Sequence, residues 1–264
     1  MTVVEYCKDI LPRFDSDLAK RPRQSLGKRG IDILTQARVT GIECLPDSAM
    51  YRISYVRKDK EESVEADKVL MAVGRRANTS SLNLDDISVR YTAKGIEVNE
   101  YMQTNLPHIY AIGDVNGKMM LAHAATFQGR VALDHMMGLR NEIDLSVMPA
   151  AVFTSPEAAA VGMTEEECRE KNIPVKCLKS FFRANGKAVA MGNTDGFCKL
   201  IVEDSPSSCR LLGCHIYGPH ASDLVHEITA LMNRKSTLQD LQDIIHVHPT
   251  LSEVLQSSSI SSIR

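Results

Sequence analysis

The chain has 264 residues, 44% hydrophobic and 24% charged, with no tryptophan and a formal charge of −2. That length supports one large or two modest domains. The even charge balance gives no reason to look for nucleic acid or a membrane surface as partner. The longest apolar run, "VLMAV" (69–73), is far short of the roughly 20 residues of a membrane-spanning helix. The N-terminus "MTVVEYCKD" lacks the charged, apolar and small-residue order of a secretory leader. Seven cysteines at scattered spacings read as reduced thiols of a cytoplasmic protein, not as a disulfide framework.

In chain order, "TVVE" (2–5) reads as a strand ending in an acid. "ILPRFDSDLAKRPRQSLGKRGI" (10–31) is helical at both ends and punctuated by Pro22. "VEADKVLMAVG" (64–74) ends in a buried strand followed by the basic turn "RRANT". "GIEVNEYMQTNLPHIYAIGDV" (95–115) holds two short strands, the second running into Gly113–Asp114. "MLAHAATFQGRVALDHMMG" (120–138) is a helix with apolar residues on two faces, as expected between layers.

Near residue 148 the pattern changes. "AAVFT" (150–154), "VKCLKSFF" (175–182), "GFCKLIVE" (196–203) and "CRLLGCHIY" (209–217) read as strands, the last two joined through "DSPSS". "TEEECREKN" (164–172), where Thr164 and Glu167 fit a capping box, and "SDLVHEITALMNRK" (222–235) read as helices. Hairpin-joined strands with helices to one side argue for an α+β module. The Ser-rich tail "SSSISSIR" (257–264) reads as a frayed end.

Several stretches carry candidate chemistry. In "IYAIGDV" (109–115), Gly113 admits a ligand close to the backbone and Asp114 accepts from a sugar-like hydroxyl. A strand-to-turn junction has the same sequence, and the residues alone leave both readings open. Glu5 could bind the ribose diol of NAD after the second strand of a dinucleotide fold. Its usual companion, a Gly-rich turn about 20 residues upstream, is absent, and no G-x-G occurs in the chain. By itself Glu5 reads as a solvated acid.

Cys209 and Cys214 in "CRLLGC" suggest a redox pair. On an extended strand they point to opposite faces, with Cα atoms more than about 7 Å apart, so they read as unpaired. No C-x-x-C or H-E-x-x-H supports a metal site. In "HVHPTLSE" (246–253), Pro249 holds His248 out of helical geometry. Thr250-Leu-Ser-Glu253 fits S/T-x-x-E, so Glu253 reads first as a helix cap. It could equally orient a His248 base, and one residue can serve both ends. His246 reads as a packing histidine.

Taken together, "VVEYCKDILPRFD", "VLMAVGRRANT", "TNLPHIYAIGDVNGKMMLAHAATFQG", "TSPEAAAVGMTEEE", "GFCKLI", "LLGCHIYGPHASDLVHEI" and "HVHPTLSE" resemble, in order, the flavin-dependent pyridine nucleotide–disulfide oxidoreductases. The "MLAH" and "H-x-H-P-T-L-S-E" blocks are most similar to the dihydrolipoamide dehydrogenase branch. The resemblance implies an α/β and α+β chain: residues 1–73 the remainder of an NAD-binding domain, 74–147 the C-terminal part of an FAD-binding domain, and 148–264 a complete interface domain forming a homodimer. The family's two Gly-rich turns and its redox C-x4-C would precede residue 1, leaving apolar sheet edges uncovered in 1–147. "CRLLGC" aligns with an interface strand.

Carried over by position, the resemblance implies that Asp114 binds the ribityl chain of FAD. Met120, Leu121, Ala122 and His123 present backbone to the flavin ring at a helix N-terminus. Glu5 holds the adenosine ribose of NAD and disfavours a 2′-phosphate, while Val39 and Gly74 line the nicotinamide path. Ala77 replaces a proline frequent in that loop. His248, backed by Glu253, accepts the thiol proton of dihydrolipoamide at the partner subunit's disulfide. The intact enzyme would pass electrons to NAD and serve the lipoyl domain of a 2-oxoacid dehydrogenase or glycine cleavage complex, whereas the 264-residue chain alone would be inactive. Another disulfide reductase of the family and a non-catalytic dimerisation module are the alternatives.

Overall fold

A computed structural model describes residues 1–46, 48–205 and 209–260. The chain divides into two compact units, Met1–Leu70 with Pro149–Arg264, and Met71–Met148.

The first unit opens with a βαβ turn. Strand β1 (Thr2–Val4) pairs in parallel with β2 (Asp32–Leu34) through helix α1 (Ser16–Lys28). Asp15 caps α1 by accepting the Asp17 N–H. The helix runs unbroken through Pro22, which lies on its buried face with Leu18 and Ala19. The expected interruption at Pro22 is therefore corrected: tertiary burial outweighs the one backbone hydrogen bond a proline removes. An antiparallel meander follows: β3 (Ala37–Leu45), β4 (Met50–Arg57) and β5 (Lys60–Ala66).

The second unit has a short hairpin, β6 (Tyr91–Thr92) with β7 (Gly95–Ile96), and one long helix, α2 (Ala122–Met136). Two sequence expectations fail around it. Residues 67–74 form no strand, and Leu70 and Val73 are 90% and 86% exposed. No neighbouring strand among the described residues offers this segment backbone partners. "IYAI" makes only one isolated bridge, Gln103 with Tyr110, before a 3-10 turn at Gly113–Asn116. Helix α2 buries one face, Ala124, Gln128, Val131 and Ala132, while Phe127 at one flank and Leu133 and Met136 away from it are exposed.

The rest of the first unit is a five-stranded antiparallel sheet, in the order β10-β11-β12-β9-β8. It contains β8 (Ala150–Val152), β9 (Glu157–Gly162), helix α3 (Glu165–Glu170), β10 (Val175–Phe181) and α4 (Gly186–Ala190). β11 (Phe197–Glu203), β12 (Leu211–Gly218), α5 (Ala221–Asn233), α6 (Leu238–Gln242) and α7 (Glu253–Ile260) complete it. Both halves of the Thr164–Glu167 capping box form. Helix α5 packs on β9 and β12, and α7 on β10 and β11. Ser258 and Ser259 of the Ser-rich tail are buried in α7. The fraying expected from residue 257 is thus corrected through 260: hydroxyls that bond to backbone carbonyls pack as small residues. Residues 261–264, and 206–208 of the "DSPSS" turn, lie outside the described residues.

Alternation along β10 and β11 decides what each face holds. Lys179 stands opposite Lys199, and Lys199 opposite His215. These face α1, whose Leu18 joins Ala158, Phe197 and Tyr217 in one apolar cluster. The intervening pair, Ser180 opposite Cys198, faces α7 through the Ser180 and Ser258 hydroxyls, 2.6 Å apart.

Candidate functional site

His248 sits in a bend before α7, and its Nδ1 lies 2.9 Å from Glu253 Oε1. The other carboxylate oxygen, Oε2, accepts the Thr250 N–H at 2.8 Å. One carboxylate thus contacts both the His248 ring and the backbone that leads into α7. The Thr250 N–H, followed by His248, holds Glu253 below the usual glutamate range, so it stays anionic. The His248 side chain is 78% exposed. With Nδ1 engaged, its Nε2 is the nitrogen turned toward an incoming proton donor. A hydrogen bond from the Asn185 side chain to the Thr250 carbonyl, 3.0 Å, fixes the loop from the α4 side.

The flanking apolar run does not pack inward. Ile245 and Val247 are 94% and 74% exposed. His246 between them is buried, with Nε2 2.9 Å from Glu227, a satisfied packing histidine.

Glu5 lies at the carboxyl end of β1, where parallel βαβ units present ligand-binding groups. Its N–H donates to the Leu34 carbonyl and its Oε1 accepts the Cys7 N–H at 2.7 Å. The Glu5 carbonyl accepts from Ala37 at the start of β3, two residues before Val39, which is 43% exposed. Glu5 and Val39 are therefore neighbours at one strand end. A half-buried carboxylate there suits a ribose diol.

Asp114, Gly74 and the start of α2 belong to the second unit. Asp114 lies on the 3-10 turn, 3.5 Å from Arg75 Nη1. Arg75, Arg76, Asn78, Asp114 and Val115 line a cavity of ≈ 430 Å³. Gly74 adopts φ +96° with open space where a side chain would stand. Met120 and Leu121 lead into α2, Leu121 is its N-cap, and Ala122 and His123 form its exposed first turn. That turn contains no acidic residue, which suits an electron-rich group at the helix N-terminus. The polar cavity, the acid and this helix end together fit FAD.

Two residues that sequence reasoning missed hold this loop. Gln128 Oε1 accepts the Gly113 N–H at 2.7 Å and the Asn116 amide at 2.8 Å. Asn116 also donates to the Ala111 carbonyl. Gln128 and Asn116 are 3% and 6% exposed, so this knot ties the Asp114 turn to α2. A lone Gln on the apolar face of "AATFQGRVA" was the available signal.

All seven cysteines are free. Cys209 donates to the Ser205 carbonyl, whereas buried Cys214 lies 3.9 Å from Cys198, so "CRLLGC" is no pair.

The pyridine nucleotide-disulphide oxidoreductase family matches residues 1–129, and its dimerisation domain matches residues 148–259. The chain belongs to this family. Over 264 residues it is 39% identical to a dihydrolipoyl dehydrogenase of Chlamydia muridarum, covering all of this chain and 55% of that protein. It is 35% identical to the dihydrolipoyl dehydrogenase of Geobacillus stearothermophilus, covering 98% of this chain and 54% of the relative. A leghemoglobin reductase of Glycine max is also 35% identical, with 99% of this chain and 50% of that protein covered. The chain spans about half the length of the curated relatives it matches. Among solved structures, LpdA from Mycobacterium tuberculosis superposes with a TM-score of 0.87 at 28% identity, over 98% of this chain and 55% of that one. The flavoprotein disulfide reductase RclA from Escherichia coli does so at 0.82 and 25%, over 98% and 58%. No helix among the described residues is long and apolar enough to cross a membrane.

Proposed function

We propose that this chain is the C-terminal part of a flavoprotein that oxidises dihydrolipoamide with NAD. The observation that carries the reading is the His248 Nδ1–Glu253 Oε1 contact at 2.9 Å on an exposed ring. In this reading residues 1–73 complete an NAD-binding domain, 74–147 complete an FAD-binding domain, and 148–264 form the interface of a homodimer. The lipoyl domain of a 2-oxoacid dehydrogenase or glycine cleavage complex supplies the dithiol.

Nε2 of His248 takes the proton of a dithiol, because only the thiolate attacks a disulfide. Glu253 holds the ring and stabilises its cationic form. Bound FAD supplies the electron relay to the nicotinamide. Asp114 and the first turn of α2 bind and orient that cofactor, with Gly74 and Val39 along the nicotinamide path. Glu5 binds the ribose of NAD and rejects a 2′-phosphate. No G-x-G turn or paired cysteines occur in these 264 residues, so the chain alone is inactive.

The test is His248→Gln in the complete flavoprotein, which should lower kcat for dihydrolipoamide oxidation by about 10²–10⁴-fold without loss of flavin absorbance. Unchanged turnover refutes the assignment. Comparison of NADH with NADPH separates another family reductase from this one. A colourless dimer of the 264-residue chain with no flux agrees with the proposal, and turnover by that chain alone contradicts it.

A further inference from the structure

Lys199 is a lysine with a 1% exposed side chain in the middle of a sheet, and the proposed proton transfer does not use it. Its Nζ lies 2.9 Å from both oxygens of Asp15, 3.1 Å from Asp17 and 2.7 Å from Glu165. Asp15, itself fully buried, also accepts the Asp17 and Glu165 N–H groups. One ammonium thus joins the N-cap of α1, its first turn and the start of α3.

Adhesion alone does not require this cluster. Leu18 already packs with Ala158, Phe197 and Tyr217, and apolar side chains commonly replace buried ion pairs without loss of stability. What charges add is direction. Asp15 is the N-cap of α1 and at the same time accepts from Lys199 and from the Glu165 N–H at the start of α3, so the ion cluster fixes where α1 starts and how it is rotated.

We infer that Lys199 is a positioning residue that fixes the Glu5 strand end relative to the His248–Glu253 loop. The inference rests on the functional reading of those two sites. Through Asp15, Lys199 holds α1, and α1 joins β1, which ends at Glu5, to β2. On the opposite face of the same two strands, Ser180 donates to the Val254 carbonyl at 2.6 Å, next to Glu253. The path from the nucleotide acid to the proton acceptor therefore crosses a single pair of strands at adjacent residues.

The experiment is Lys199→Met, read in two ways. In the 264-residue chain, hydrogen exchange of the α1 amides at 17–20 should accelerate by about tenfold or more, while α7 amides at 254–258 keep their protection. In the complete flavoprotein, KM for NAD should rise about tenfold, with KM for dihydrolipoamide within about twofold and an unchanged pH–rate profile. Asp15→Asn combined with Lys199→Met should leave the NAD defect in place, because removing the stranded carboxylate restores stability but not direction. If Lys199→Met fails to fold, Glu165→Gln at the cluster's rim should give the same split on a smaller scale. Unchanged α1 exchange, or equal rises in both KM values, overturns the inference. If the parent flavoprotein shows no NAD-linked dithiol oxidation, the functional reading fails instead, and exchange alone decides whether Lys199 anchors α1.

Discussion

Lys179 and Lys199 stand directly opposite each other on β10 and β11, and one carboxylate oxygen of Asp17 lies between them, 2.7 Å from the first ammonium and 3.1 Å from the second. Like charges facing across a strand pair repel, so Asp17 is what makes the pairing tenable. Lys179, then burial in opposition, then Lys199 act on its carboxyl, and the net result is well below the usual aspartate range. Asp17→Asn should destabilise the chain by about 1–3 kcal/mol in urea unfolding. Asp15→Ala should cost about 3–5 kcal/mol because it strands a buried ammonium. Equal effects of the two would contradict the burial difference between them.

The same cluster sets a pH window. Asp15 is raised by burial but lowered further by Lys199, and Glu165 is lowered chiefly by Lys199. Carboxyls depressed in the folded state contribute stability above their unfolded values and lose it as pH falls through the folded ones. Burial depresses His215, whose Nε2 donates to the Met163 carbonyl and whose Nδ1 has no partner among the described residues. Its contribution is present above its unfolded value and lost on acidification. Burial lowers Lys199, but Glu165 and Asp15 raise it further, for a net increase. Its contribution is lost only as pH climbs beyond the unfolded lysine value. Burial also raises the Cys214 and Cys177 thiols, whose contribution is lost as pH climbs past the unfolded cysteine value, so stability should plateau between about pH 6.5 and 8.5 and fall on either side. Urea midpoints across pH 4–11 check this, and an optimum below about pH 5 would contradict it.

Glu253→Gln separates the two duties of that residue. The amide oxygen can still accept the Thr250 N–H, so stability should change by less than about 1 kcal/mol. The negative charge beside His248 is lost, and kcat in the complete flavoprotein should drop by about 10–10³-fold. A large stability loss with unchanged kcat would make Glu253 a cap alone.

Gln128→Leu removes the acceptor shared by Gly113 and Asn116. Two buried donors lose a partner, and the second unit should weaken by about 2–3 kcal/mol. Flavin affinity of the complete protein should fall with it, which fluorescence titration would register. Intact affinity would detach the Asp114 turn from the cofactor.

Much of the α+β portion was legible because its strands alternate and its helices carry caps. Thr164 and Glu167 read as a capping box and form one. β9, "EAAAVG", was missed because an alanine-rich run has no strand signature of its own; its partners on β12 and β8 impose it. β3 was missed because nearly all of it is exposed and shows no two-residue period. The 69–73 run was read as buried because apolar composition reports what a segment prefers, not whether a partner is at hand. At the site, spacing offered the His248–Glu253 pair beside a helix-cap reading, and the family resemblance favoured the pair. The Lys199 cluster was not, since its acids come from residues 15, 17 and 165, and only the tertiary fold brings them to one ammonium.

The alternation of β11 guards its own register. A slip of one residue in its register would swing the Cys198 thiol toward three carboxylates and push the ammonium among Val254, Leu255 and Ser258 of α7. Neither side of the strand could accept what the other holds. The charge at position 199 thus acts as a spelling check on strand pairing, rejecting misaligned sheets.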